Sequence, residues 1–107
     1  MIDYDGRRFR KPGDTYGTVA TYHQQGDVVW ADFSGGEVRR GSIAGIRQSD
    51  GTLRLGYTMV LTSGEVICGH SLNTPIATSD GLLRLREDWE RYGPHAGTGV
   101  SYLEEVG

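Results

Sequence analysis

Apolar and polar positions alternate with a period of two along most of this chain. The clearest run sets Leu53, Leu55, Tyr57, Met59 and Leu61 against Arg54, Gly56, Thr58 and Val60. Successive strand side chains point to opposite faces, so this pattern predicts a half-buried β-strand. Residues 25–48 contain the unit that the rest of the chain repeats. Val28 to Phe33 is β-rich, Ser34-Gly35-Gly36 supplies a tight turn, and residues 38–48 alternate again. Over 16–24, Val19, Thr21 and His23 oppose Ala20, Tyr22 and Gln24. Over 66–73, Val66, Cys68, His70 and Leu72 oppose Ile67, Gly69, Ser71 and Asn73. Leu83, Leu85, Glu87 and Trp89 oppose Leu82, Arg84, Arg86 and Asp88. This last stretch is rich in helix formers, but its alternation after Asp80-Gly81 favours a strand.

Turn signals separate these runs. Asp5-Gly6 divides residues 2–4 from 7–10 as a two-residue hairpin turn, and Ser49-Asp50-Gly51, Ser63-Gly64 and Ser79-Asp80-Gly81 recur between the later runs. Pro75 is expected to end the regular pairing of its strand, because proline cannot donate to the ladder. A glycine-bearing loop over 91–97 leads to a last strand near 98–106. About eight antiparallel strands joined by short turns predict an all-β, up-and-down meander closing into a barrel over a single domain, 1–107. Eight strands leave an interior for packed side chains or one small ligand. A β-clam or an open sheet completed in a dimer is the architectural alternative.

Composition narrows the functional classes. The formal charge of -3 and pI near 5.5 give no basic footprint for nucleic acid or an anionic membrane. Basic residues cluster only at Arg7-Arg8-Phe9-Arg10-Lys11, which reads as a polar edge strand protected against edge-to-edge pairing. The single cysteine, Cys68, excludes an internal disulfide and a multi-cysteine zinc site. The N-terminus has no signal-peptide pattern and no apolar run is long enough to span a bilayer, so a cytoplasmic location is expected. Seventeen glycines, about twice the ordinary share of roughly 7%, fit turns, bulges and barrel corners.

Three stretches carry a family resemblance: MIDYDGRRFR at 1–10, YHQQGDVVWADFSGG at 22–36 and DGLLRLREDW at 80–89, with Glu104-Glu105 near the end. Across essentially its whole length the chain resembles a family of small bacterial proteins described as avidin-like and commonly labelled N-acetylglutamate synthase. The avidin-like description implies an eight-stranded, calycin-type barrel with a ligand at one mouth. The synthase label implies acetyl transfer from acetyl-CoA to glutamate. That chemistry is usually housed in an α/β fold with a glycine-rich loop at a helix N-terminus, and no strand–loop–helix stretch is present.

The residues that could converge on a barrel interior are Tyr22, Trp30, Asp32, Tyr57, Met59, His70, Glu87 and Trp89, chosen by shared strand parity with apolar neighbours or with one another. Aromatic walls with a few polar groups suit a small-molecule site, though tryptophan and tyrosine also fill cores. Cys68-Gly69-His70 puts a thiol and an imidazole on one strand face, without a third ligand or an orienting carboxylate fixed by spacing. Cys68 is therefore expected to be a core residue. His23 and His95 are expected to stand isolated. The reading is a small-molecule-binding barrel with no metal, no cofactor, no nucleic-acid or membrane partner, and self-association left open. The alternatives are a small enzyme using the cavity and a closed-core structural or interaction protein.

Overall fold

The computed structural model describes residues 2–13 and 19–107. Eight strands follow one another: β1 (Arg8–Arg10), β2 (Ala20–Gln25), β3 (Val28–Gly35), β4 (Val38–Arg47), β5 (Leu53–Leu61), β6 (Val66–Ala77), β7 (Leu83–Arg91) and β8 (Gly97–Glu105). Each pairs antiparallel with the next, and β1 pairs with β8, so the meander closes into a barrel. The predicted strand at 16–24 begins at Ala20; its residues 16–18 lie outside the described residues.

Turn chemistry sets the registers. Gly26 and Gly36 hold φ of 60° and 56° in the β2–β3 and β3–β4 turns, where a Cβ would strain the backbone. The β4–β5 turn is tied by Thr52 Oγ1 donating to Gln48 Oε1 at 2.8 Å, and the β6–β7 turn by Thr78 Oγ1, which lies against both the Asp80 carboxylate and the Leu82 carbonyl and has one proton to give. Gly45 permits a tight approach at the β4–β5 wall, since a Cβ there would fall 1.8 Å from the Arg54 carbonyl oxygen.

One end of the barrel is packed solid. Tyr4, Phe9, Val29, Leu53, Leu83 and Leu85 form its core, with the Phe9 and Tyr22 rings 4.9 Å apart. Residues 2–4 do not form the predicted strand. They lie against this end, where Tyr4 is fully buried and its Oη donates to the Gly51 carbonyl at 2.7 Å. Desolvation by burial pushes the Tyr4 phenol up to about 12. Burying one tyrosine ring stabilises a fold by roughly 1.5–3 kcal/mol, so this short segment closes the barrel floor without ladder pairing.

Two expectations about the strands are corrected. The basic segment is no edge: β1 lies between β2 and β8, and Arg7 and Arg10 meet Glu105 and Glu104 at 2.8 and 3.4 Å. Their charges serve the seam where the sheet closes. Pro75 does not end β6 either, which runs on to Ala77 with Pro75 opposite Leu85. Its missing N–H is compatible with a position whose ladder bond is not required from that side.

Candidate functional site

Strand parity carries into the barrel a set of side chains that differ along its axis. Above the packed end, the inward positions are Phe33 on β3, Tyr57 and Met59 on β5, Trp89 and Arg91 on β7, all partly accessible to solvent. Tyr22 on β2 also points inward and is buried. Three of the aromatic residues share one device. Phe33 is paired with Gly41, Tyr57 with Gly69 and Trp89 with Gly99, each across a strand boundary. A Cβ on those glycines would fall 2.3 Å from Phe33 Cζ, 2.6 Å from Tyr57 Oη and 2.3 Å from Trp89 Cζ2. Each ring therefore lies over the bare backbone of its neighbour. The rings line the wall instead of crossing the lumen, and solvent reaches them.

Below these rings, at mid-height on β7, stands Glu87. It is flanked by Asn73 on β6 and Ser101 on β8, its direct lateral partners. Asn73 Nδ2 donates to Glu87 Oε2 at 3.2 Å, and Ser101 Oγ donates to Oε1 at 3.1 Å. Burial raises the Glu87 carboxyl above its ordinary range, opposed by these two hydrogen bonds and by the charge of Lys11. Burial, with the Glu87 charge as a second cause, also raises the Tyr22 phenol, so Tyr22 stays neutral. Tyr57 is raised chiefly by burial, and Arg91 opposes that shift. Its Oη donates to the Glu90 carbonyl at 3.3 Å, and the Arg91 guanidinium carbon lies 5.2 Å from the centre of the Trp89 ring.

Five of the eight candidates thus share the interior: Tyr22, Tyr57, Met59, Glu87 and Trp89. Trp30, Asp32 and His70 do not. Trp30 is 37% exposed on the outer face, stacked on His23 at 5.6 Å. Asp32 accepts from Ser42 Oγ at 2.9 Å outside the barrel. His70 contacts the Tyr92 hydroxyl, with Nε2 3.5 Å from Glu90 Oε1. The cause is the choice of face. On β3 the small apolar Val29 and Ala31 pack inside, which sends Trp30 and Asp32 out. On β6 the inward set is Ile67, Gly69, Ser71 and Asn73, which sends the more apolar-looking face out.

Cys68 is exposed by the same inversion, with Sγ 3.7 Å from Thr58 Oγ1; it is no core residue. His95 is not isolated, because its Nε2 lies 2.9 Å from Glu65 Oε2. Among the described residues no group of three or more His, Cys, Asp or Glu side chains is placed to hold a metal ion. No helix is long and apolar enough to cross a membrane, which says nothing about strands. Two open depressions of about 350 Å³ are present, one around His70, Asp88 and Val100 that also takes in Trp89 and Gly99, the other beside Ile2 and Asp50 at the packed end.

Sequence reasoning missed Phe33, Asn73, Arg91 and Ser101. Phe33 and Arg91 were legible by parity, two residues beyond Ala31 and Trp89. Asn73 and Ser101 carried no signal of their own, since their role follows from lateral pairing with Glu87.

An eight-stranded antiparallel meander, plugged at one end and lined at the other by wall-held aromatic rings around a carboxylate, defines a calycin-type β-barrel. The family model described as avidin-like protein matches residues 2–106, and the chain belongs to that family. No curated protein and no solved structure matches it.

Proposed function

We propose that this protein is a binding module that holds a small, partly apolar molecule in the accessible half of its barrel. The observation that carries this reading is the triple pairing of ring and glycine, Phe33 over Gly41, Tyr57 over Gly69 and Trp89 over Gly99. A barrel that fills its own core has no need to hold its largest side chains against its wall. Small-ligand sites are concave, largely aromatic and apolar, with few polar groups. Tyr22, Tyr57, Met59 and Trp89 would supply the walls and Glu87 the polar anchor. The avidin-like family, whose members bind small molecules such as biotin, favours the same use of the fold.

Native mass spectrometry of the purified protein tests this directly, because a co-purifying molecule and the number of chains are read together. Tryptophan fluorescence during a metabolite screen, biotin included, is the second arm. Any hit should bind more weakly to Trp89→Phe while the fold persists. A ligand-soaked structure with Trp89 swung across a filled lumen would end the proposal in favour of a closed-core barrel.

An acetyltransferase reading is less well supported. The one helical segment among the described residues is the three-residue 3₁₀ turn Gly93–His95, which offers no helix N-terminus for a pyrophosphate. Titration with acetyl-CoA should give no specific heat, and adding glutamate should release no free thiol. Saturable binding with turnover would put the enzyme first.

Self-association has its own observation. Val28, Ile46, Leu72 and Val100 are exposed on the outer face and fall on one lateral row, interrupted by Arg54 and Asp88. The same mass spectrum tests whether copies pair through it.

A further inference from the structure

Asn73 is fully buried, yet its Oδ1 accepts no hydrogen bond. The orientation of the amide is set by chemistry: Nδ2 donates to Glu87 Oε2 at 3.2 Å, and the flipped amide would turn an oxygen against the carboxylate. Glu87 is as unusual. It receives only neutral donors, Asn73 and Ser101, and among the described residues no Arg, Lys or His nitrogen comes within ion-pair distance of it. Arg91, two positions along the same strand, lies over the Trp89 ring. The lumen therefore holds two acceptors side by side, one of them anionic; the Lys11 charge acts on Glu87 from beyond ion-pair distance, and among the described residues no cation touches either acceptor.

Buried polar groups are normally hydrogen-bonded and buried charges normally paired. A carboxylate-bearing guest would meet Glu87 with like charge. A neutral guest would leave that charge without a direct partner. A cationic head with at least two N–H groups answers both acceptors, one N–H reaching Asn73 Oδ1 and another the Glu87 carboxylate in a charge-assisted bond. The Tyr57 ring above would add attraction for the same cation, the Trp89 ring being already faced by Arg91.

We infer that the lumen takes a ligand whose head is an amine or amidine cation, seated on Asn73 Oδ1 and Glu87 beneath the Tyr57 and Trp89 rings. This rests on the reading of the barrel as a binding module.

Benzamidine, benzamide and benzoate form a matched planar series, cationic, neutral and anionic, that tests it. Each is titrated into the intact Trp30→Phe protein, with Trp89 fluorescence and backbone amide NMR shifts at 73, 87 and 101 as readouts. Benzamidine is expected to bind about tenfold more tightly than benzamide, the difference between a charged and a neutral hydrogen bond, and benzoate not to saturate. Glu87→Gln should bring benzamidine to the level of benzamide and leave benzamide within about twofold, the same distinction read from the protein's side. Equal binding of benzamide and benzamidine, tightest binding of benzoate, or a benzamidine affinity untouched by Glu87→Gln would overturn the inference while leaving a small-molecule site in the lumen. Failure of all three to move either signal would overturn the site as well.

Discussion

Replacing Gly99 by alanine isolates the device that keeps the upper lumen lined. The new Cβ would stand 2.3 Å from Trp89 Cζ2, 2.8 Å from Cε2 and 3.0 Å from Cη2, where carbon atoms in contact prefer about 3.5–4.0 Å. The indole must leave the wall by about 1 Å or more to reach that separation. Overpacking of this kind costs about 1–3 kcal/mol. Alanine recovers about 0.4–1 kcal/mol by restricting the unfolded chain, so the net destabilisation runs from about 0 to 2.6 kcal/mol, about 1.3 kcal/mol at mid-range. At this chain length each kcal/mol moves Tm by roughly 4–8 °C, so the mid-range value predicts a drop of roughly 5–10 °C.

Gly56→Ala is the control. Gly56 also sits mid-strand, but it points outward, and a Cβ there would meet only the Ala44 carbonyl oxygen at 3.9 Å. That variant should be stabilised by about 0.5–1 kcal/mol. Thermal melts of both proteins in a Trp30→Phe background, with the Trp89 emission maximum recorded, decide the matter. Opposite signs for the two alanines, with a shifted Trp89 spectrum only in Gly99→Ala, are expected. Equal stabilisation with an unchanged spectrum would show that the ring is not held against Gly99, and the argument for a wall-lined lumen would fall with it.

Three further outcomes follow from the same contacts. Burial raises the Glu87 pKa, so the folded protein holds this proton more tightly than the unfolded chain does. Its contribution is most favourable below the ordinary carboxylate pKa and is lost as pH rises through the raised value. Tyr22, Tyr57 and Lys11 are the titratable groups acting on or answering to it, and Glu87→Gln should flatten that limb of the urea midpoint measured from pH 4 to 8. Cys68, exposed on the outer face, should react with a thiol reagent in the native protein nearly as fast as after denaturation; protection by folding would contradict its placement. Glu105 accepts from Arg7 at 2.8 Å and from the Leu83 N–H at 3.0 Å, so Glu105→Ala leaves a shielded donor unpaired and should cost about 1–3 kcal/mol. Glu104→Ala, which removes only the looser 3.4 Å pair with Arg10, should cost about 0–1 kcal/mol, and equal urea midpoints for the two would refute the distinction.

Why the strands and turns were readable while half of the site was not comes down to which face is buried. On β5 and β7 the choice is forced: turning Leu53, Leu55, Leu83 and Leu85 outward would bury Arg54, Arg84 and Arg86. Tyr57, Met59, Glu87 and Trp89 are carried inside with those leucines. On β6 the alternation is equally clear, but hydrophobicity points the wrong way, because the barrel uses Gly69, Ser71 and Asn73 where rings and a carboxylate from adjoining strands already fill the space. Val66, Cys68 and Leu72 are left outside. On β3 the tryptophan is the conspicuous residue, yet the narrow interior accepts Val29 and Ala31, which pack in one core with Tyr22. Lateral partners decide such positions, and lateral pairing is set by the whole closed sheet.

The seam between β1 and β8 has a consequence for synthesis. Seven of the eight pairings join strands that are neighbours in the chain, whereas Phe9 opposite Glu105 joins its two extremes. Residues 2–10 leave the ribosome before the other strands of the barrel but have no complete docking place until β8 has emerged. Until then the nascent sheet from β2 to β7 carries a raw margin on each side, able to recruit strands from another chain. Closure also rests on the shortest strand of the set, whose three residues provide two register pairs on each side. The ring is thus completed last and by its shortest strand, and breaking that link returns the chain to a two-margined sheet.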